Sequence, residues 1–171
     1  MRLTNSTHST TKFAVMLPLA AMLAIAGCAK KQTLPDNASQ LGIGANSAKP
    51  GTSQDFTVNV GDRVFFTTDS TTLTAEARGI LDRQSVWLNK YGSYRITIEG
   101  HADERGTREY NLALGARRAT ATRDYLSARG VSRNRMKTIS FGKERPVAVC
   151  NDISCWSQNR RAVTVLGGGN S

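Results

Sequence analysis

At 171 residues the chain has room for one modest domain plus tails, because a single core typically organises about 100 to 200 residues. Lys and Arg number 23 against 13 Asp and Glu, and Arg2 and Lys12 are the charged residues ahead of Cys28, so the chain from Cys28 onward carries 21 against 13, or +8. Basic and acidic side chains are interspersed from residue 76 onward, so the excess identifies no partner by itself and no nucleic-acid ligand is expected.

Residues 1 to 12 hold Arg2 and Lys12 without an acid, and Phe13 to Ala26 form an apolar run interrupted by Pro18. This is the pattern of a signal segment over 1–27, and the run falls short of the about 20 apolar residues that a spanning helix needs. It ends in Ile25-Ala26-Gly27-Cys28, which resembles the lipobox of bacterial lipoprotein signals. That resemblance implies a diacylglyceryl group on the Cys28 sulfur, cleavage before Cys28 and acylation of the freed amine. Each buried methylene adds about 0.8 kcal/mol, so several acyl chains anchor where one would not. Ala29 stands where the inner-membrane retention signal has Asp, so the expected address is the outer membrane, with the domain facing the periplasm.

Residues 28–56 contain Pro35, Pro50, several Gly and many small polar side chains, and are expected to be a flexible tether unable to bury enough surface to fold. Such a chain of about 28 residues would reach on the order of 30 Å. From residue 57 the pattern becomes periodic. Val58, Val60, Val64 and Phe66 alternate and predict a first strand or strand pair over 57–66. Thr74 can cap a helix to about Tyr91, with Glu76 in its first turn and Leu73, Ala77, Ile80, Leu81, Gln84 and Leu88 on one face. Arg95 to Glu99 alternates as a strand. Thr107 can cap a second helix that Gly130 stops, Lys137 to Phe141 is a short strand, Ile153 to Asn159 a helical turn, and Arg161 to Leu166 the last strand. Strands alternating with helices predict an α+β domain over 57–166, a two-layer sandwich of βαβαβ type with helices packed on a mixed sheet, and a tail over 167–171.

The run Ile98 to Gly106, IEGHADERG, followed by Thr107 to Ala119, TREYNLALGARRA, closely resembles the signature of OmpA-like peptidoglycan-binding domains, and HADERGTREYN is similar to the lipoprotein branch of that family. Phe65 with Asp69-Ser70, Ser140 to Pro146, and Asn159 to Val163 extend the match in order across nearly all of the expected domain. The resemblance implies non-covalent binding of the diaminopimelate in peptidoglycan stem peptides, whose side chain ends in an ammonium and a carboxylate. Asp103 would accept from the ammonium and Arg118 would hold the carboxylate through parallel hydrogen bonds. Carried over with them are Asp69, Arg105, Thr107 and Leu114, Phe65 and Thr68 in the first loop, and Arg160. Relatives often read FDFDS where this chain has Phe66-Thr67-Thr68-Asp69-Ser70, so the contacts of that loop differ while Asp69 is kept. Asn111 is expected to fix the loop, and Gly100 and Gly106 to serve close packing and the turn.

The resemblance further implies a link between outer membrane and wall, through lipid on Cys28 and peptidoglycan in the domain, and the Tol proteins, TolB among them, as partners in envelope integrity and cell division. The alternative is a structural or sensing envelope lipoprotein without wall binding. In an oxidising periplasm Cys150 and Cys155 are expected to form a disulfide around a short polar loop. From Cys28 onward the single histidine is His101, so neither a metal nor another cofactor is expected. Along an extended strand His101, Asp103 and Glu104 would not converge on one face with a nucleophile, so the chain is expected not to be an enzyme.

Overall fold

The computed structural model describes residues 48–168; the expected signal segment, the acylation at Cys28, the tether as far as residue 47, and residues 169–171 lie outside them. The elements in chain order are a helical turn α1 (Ser53–Asp55) running into a π-helix (Phe56–Gly61), β1 (Arg63–Phe65), α2 (Ala75–Lys90), β2 (Arg95–His101), α3 (Arg108–Ala128), a 3-10 turn (Arg133–Arg135), β3 (Met136–Gly142), α4 (Ile153–Asn159) and β4 (Arg161–Gly167). The sheet order is β1-β4-β2-β3. Its β2–β3 pair is parallel, and β4 runs antiparallel to both β1 and β2.

The caps fall where hydroxyl side chains invited them. The Thr74 and Thr107 hydroxyls accept from the backbone N–H of Ala77 and Tyr110, each relieving a donor that the first helical turn leaves unpaired. Gly130, at φ +91°, takes the left-handed position that ends α3. Ala77, Leu81, Leu88, Ile96, Ile98, Ala119, Leu126 and Val131 form the core between helices and sheet, while Ile139 and Val165 on the strands stay exposed. One sheet face is therefore covered and the other is open, the two-layer arrangement expected. Gln84 sits in this core without exposure because both ends of its amide are used: Nε2 donates to the Gly61 carbonyl, and Oε1 accepts from the Thr164 hydroxyl.

The middle strands run slightly longer than expected, and the first strand and both ends of the domain differ more. Residues 57–66 are neither one strand nor a strand pair, since Phe56–Gly61 is helical and only Arg63–Phe65 pairs in the sheet. The reason is tertiary: the Asp55 carboxylate accepts from the indole N–H of Trp87 at 2.8 Å, from Asn59 at 2.8 Å and from the Gly51 N–H at 2.8 Å, which winds the segment against α2. Val58 then points to solvent at 64 % exposure, whereas Phe56 is buried against Trp87 with ring centroids 5.0 Å apart. For the same reason residues 48–56, expected to belong to the tether, pack against the domain, with Ala48 and Phe56 buried and the Tyr94 hydroxyl donating to the Gly51 carbonyl. At the other end β4 continues to Gly167, which pairs with Arg95, one position into the expected tail.

Two glycines let α3 approach the sheet. A Cβ at Gly100 of β2 would lie 1.8 Å from the Gly115 carbonyl oxygen, and one at Gly115 would lie 2.8 Å from the Gly100 oxygen, so neither position accepts a side chain. Just past this contact β2 carries a register irregularity at Gly100/His101, and the Ala102 N–H pairs back to the Gly142 carbonyl at 2.8 Å. The chain then leaves the sheet as the loop that carries Asp103.

Candidate functional site

Two loops and one helix face enclose a cavity of about 290 Å³. The β1–α2 loop contributes Thr68 and Asp69, the β2–α3 loop contributes Asp103, Arg105 and Gly106, and α3 contributes Tyr110, Asn111, Leu114 and Arg118. Tyr110, Leu114 and Arg118 recur at four-residue spacing and so share one helix face. Asp69 is the one non-glycine residue with positive φ (52°) among the described residues, and this strained backbone lies at the cavity rim. Its carboxylate accepts from the Tyr110 hydroxyl, tying the first loop to α3.

Asp103 is 7 % exposed and held from two sides. Arg105 donates from Nε to Oδ1 at 3.2 Å and from Nη2 to Oδ2 at 2.7 Å, and Arg160 donates from Nη1 to Oδ2 at 3.1 Å. Burial pushes the Asp103 carboxyl up, but the hydrogen bonds from Arg105 and Arg160 together outweigh it and hold the group below its ordinary range. It therefore stands as a fixed carboxylate at the wall of the cavity.

Arg118 shares this cavity but makes no hydrogen bond to Asp103. Its Nε donates to the Ser70 carbonyl at 2.9 Å, Nη1 to the His101 carbonyl at 2.8 Å and Nη2 to the Thr67 carbonyl at 3.3 Å. Of a guanidinium's five N–H groups, one on each terminal nitrogen is left. With no solvent exposure, Arg118 joins the β1–α2 loop to the end of β2, where the second loop begins, from beneath. Burial lowers it to about 10 against the pull of Asp103, so it stays charged at neutral pH. Arg105 is the reachable cation beside Asp103: its side chain is 42 % exposed, and its Nη1 has no hydrogen-bond partner among the described residues.

The other expected residues divide. Thr68, Asp69, Arg105 and Leu114 line the cavity as expected. Arg160 is 6 % exposed and supports from behind, with Nε on the Phe66 carbonyl at 3.1 Å and Nη1 on Asp103. Thr107 is the helix cap and does not line the cavity. Phe65 lies outside it, facing a separate shallow hollow with Phe66, Ser157 and Gln158. Asn111 fixes the loop, its Nδ2 donating to the Arg105 carbonyl at 2.6 Å. Tyr110 and Gly106 line the cavity beyond the expected set; the four-residue spacing of Tyr110 from Leu114 is the signal for it in the sequence. The disulfide between Cys150 and Cys155 is formed. His101 is 1 % exposed beneath the loop, and burial, with the charges of Arg161 and Arg145, lowers it to about 4. Among the described residues no group of His, Cys, Asp and Glu side chains is arranged to hold a metal ion, and no helix is long and apolar enough to cross a membrane.

Residues 65–160 match the OmpA family. The chain is 71 % identical over 157 residues to the peptidoglycan-associated lipoprotein of Rhizobium meliloti, covering 92 % of this chain and 89 % of that one. It is 42 % identical over 160 residues to the protein of the same name from Pseudomonas putida, covering 88 % and 95 %. Among solved structures, the peptidoglycan-associated lipoprotein from Burkholderia pseudomallei superposes with a TM-score of 0.60 at 42 % identity, over 62 % of this chain and 90 % of that one. The C-terminal domain of Helicobacter pylori MotB superposes with a TM-score of 0.59 at 20 % identity, over 63 % and 84 %, and shares the fold.

Proposed function

This chain belongs to the OmpA family, among its peptidoglycan-associated lipoproteins, and on that premise we propose that it binds peptidoglycan non-covalently through diaminopimelate and links the outer membrane to the wall. The observation that carries the reading is one small cavity presenting carboxylates and guanidiniums together, with Asp69 and Asp103 beside Arg105 and Arg118. A side chain ending in both an ammonium and a carboxylate meets a partner for each there. One that lacks either group forgoes half of these contacts, which is how such a pocket discriminates. Asp103 takes the ammonium. The carboxylate is met from the floor by the remaining N–H groups of Arg118 and from the mouth by Arg105.

The role is binding and tethering, not catalysis, with the anchor supplied by acyl chains on Cys28 and the Tol proteins, TolB among them, as partners during envelope constriction. Co-sedimentation with purified sacculi tests the site. Wild type should pellet, Asp103→Ala and Arg118→Ala should stay in the supernatant, and pelleting should weaken as salt screens the charges. If both variants pellet like wild type, the site is wrong, and a structural or sensing lipoprotein without wall binding becomes the better account. Release of soluble muropeptides during the incubation would argue instead for an enzyme. Labelled palmitate should enter the wild type and not Cys28→Ala.

A further inference from the structure

The cavity loop is gripped from outside by a residue that takes no part in the cavity. Trp156 of α4 lies against two consecutive loop residues: the Arg105 guanidinium stacks over its ring at 4.2 Å from the centroid, and its indole N–H donates to the Glu104 carboxylate. Arg105 in turn carries the fork on Asp103, so Trp156 immobilises the reachable cation and, through it, the orientation of the buried anion. Lys143 adds a second brace, donating from Nζ to the Glu104 carbonyl at 3.1 Å and the Gly106 carbonyl at 2.7 Å.

What fixes Trp156 is local. Helix α4 spans seven residues, too few to hold its place by its own hydrogen bonds. Its far end is secured by Asn159, whose side chain accepts from the N–H groups of Val147 and Ala148 at 2.9 and 3.2 Å. Its near end, which precedes Trp156, has the Asp152 cap on the Ser154 N–H and the Cys150–Cys155 disulfide, with Cys155 directly adjoining Trp156. The disulfide closes too short a ring to matter much for global stability, yet it stands one residue from the ring that clamps Arg105.

We infer that Trp156 is a positioning residue for the Arg105–Asp103 pair, that the Cys150–Cys155 disulfide holds it there, and that ligand affinity therefore depends on the disulfide being formed. The inference rests on the wall-binding reading above. The test uses the full chain purified in detergent, a synthetic stem tripeptide ending in diaminopimelate, and calorimetric Kd values. Trp156→Leu keeps apolar bulk without a π face and should raise Kd about three-fold, the scale of a partly exposed cation–π contact, while Trp156→Phe restores most of the affinity.

Dithiothreitol should weaken wild type similarly: the two sulfurs take up two electrons and two protons as the reagent closes to its cyclic disulfide. It should leave the Kd of the Cys150→Ser/Cys155→Ser variant unchanged. The Arg105 Nε–H resonance, shielded by the indole, should move downfield in Trp156→Leu and on reduction, which a purely structural role for the loop would not produce. Thermal melts check that each protein is folded, and the reduced wild type supplies the measurement if Trp156→Leu misfolds. An unchanged Kd in folded Trp156→Leu, or in reduced wild type, overturns the inference while Asp103→Ala still abolishes binding. Asp103→Ala that binds like wild type removes the underlying reading, and the inference with it.

Discussion

Arg118→Met isolates what the buried guanidinium does for the fold. Methionine keeps an unbranched, apolar chain in the same space but carries no donor. Three backbone carbonyls lose their partner: His101 at 2.8 Å, in a fully buried bond, and Ser70 and Thr67 at 2.9 and 3.3 Å, in bonds nearer the surface. The stranded His101 carbonyl should cost about 1 to 3 kcal/mol, and the other two, which can turn to water, about 0.5 to 1.5 kcal/mol each. Relief from holding a charge out of solvent works the other way, as the lowered pKa of Arg118 indicates. A net loss of about 2 to 3 kcal/mol is expected. Urea unfolding followed by far-UV circular dichroism measures it, and amide exchange over residues 67–72 and 101–107 should quicken in the variant. A urea midpoint matching wild type, with unchanged exchange in both loops, would refute the idea that Arg118 joins them.

Gly100→Ala drives a methyl group against the Gly115 carbonyl, which is backbone and cannot swing aside, so α3 must shift and stability should fall by about 3 kcal/mol in the same urea assay. Asp55→Ala strips the buried Trp87 indole N–H of its acceptor and should cost about 2 kcal/mol, with a red shift in tryptophan emission as the segment before β1 loosens. Acid should act through His101 first. Its folded pKa of about 4 lies below the unfolded value near 6.5, so its contribution is complete above about pH 6.5 and is lost as pH falls toward 4. Discounted for screening, the loss is about 1 to 2 kcal/mol. Asp103, also lowered, adds to the loss at still lower pH as it protonates, and His101→Phe should flatten the upper part of the profile.

Much of this protein can be read along the chain because the signals are local. Thr74 and Thr107 before periodic runs, Gly130 after one, and the alternating strands at 95 and 161 each encode their element through the next few residues, and those elements form as expected. The resemblance carried by the HADERG run and the segments around it likewise names Thr68, Asp69, Asp103, Arg105, Leu114 and Arg118, all of which line one cavity. What only the tertiary structure decided depends on partners far away in the chain. The alternation of Val58 and Val60 satisfies a strand as well as a helix, and Asp55 settles it by reaching Trp87 across 32 positions. The chain order does not show which bonds Arg118 makes: the carbonyls of Thr67, Ser70 and His101 take three of its N–H groups, so it supports the site as well as lining it. A side chain's identity states which bonds it can make; which of them it does make is set by the donors and acceptors that folding places within hydrogen-bonding distance of it.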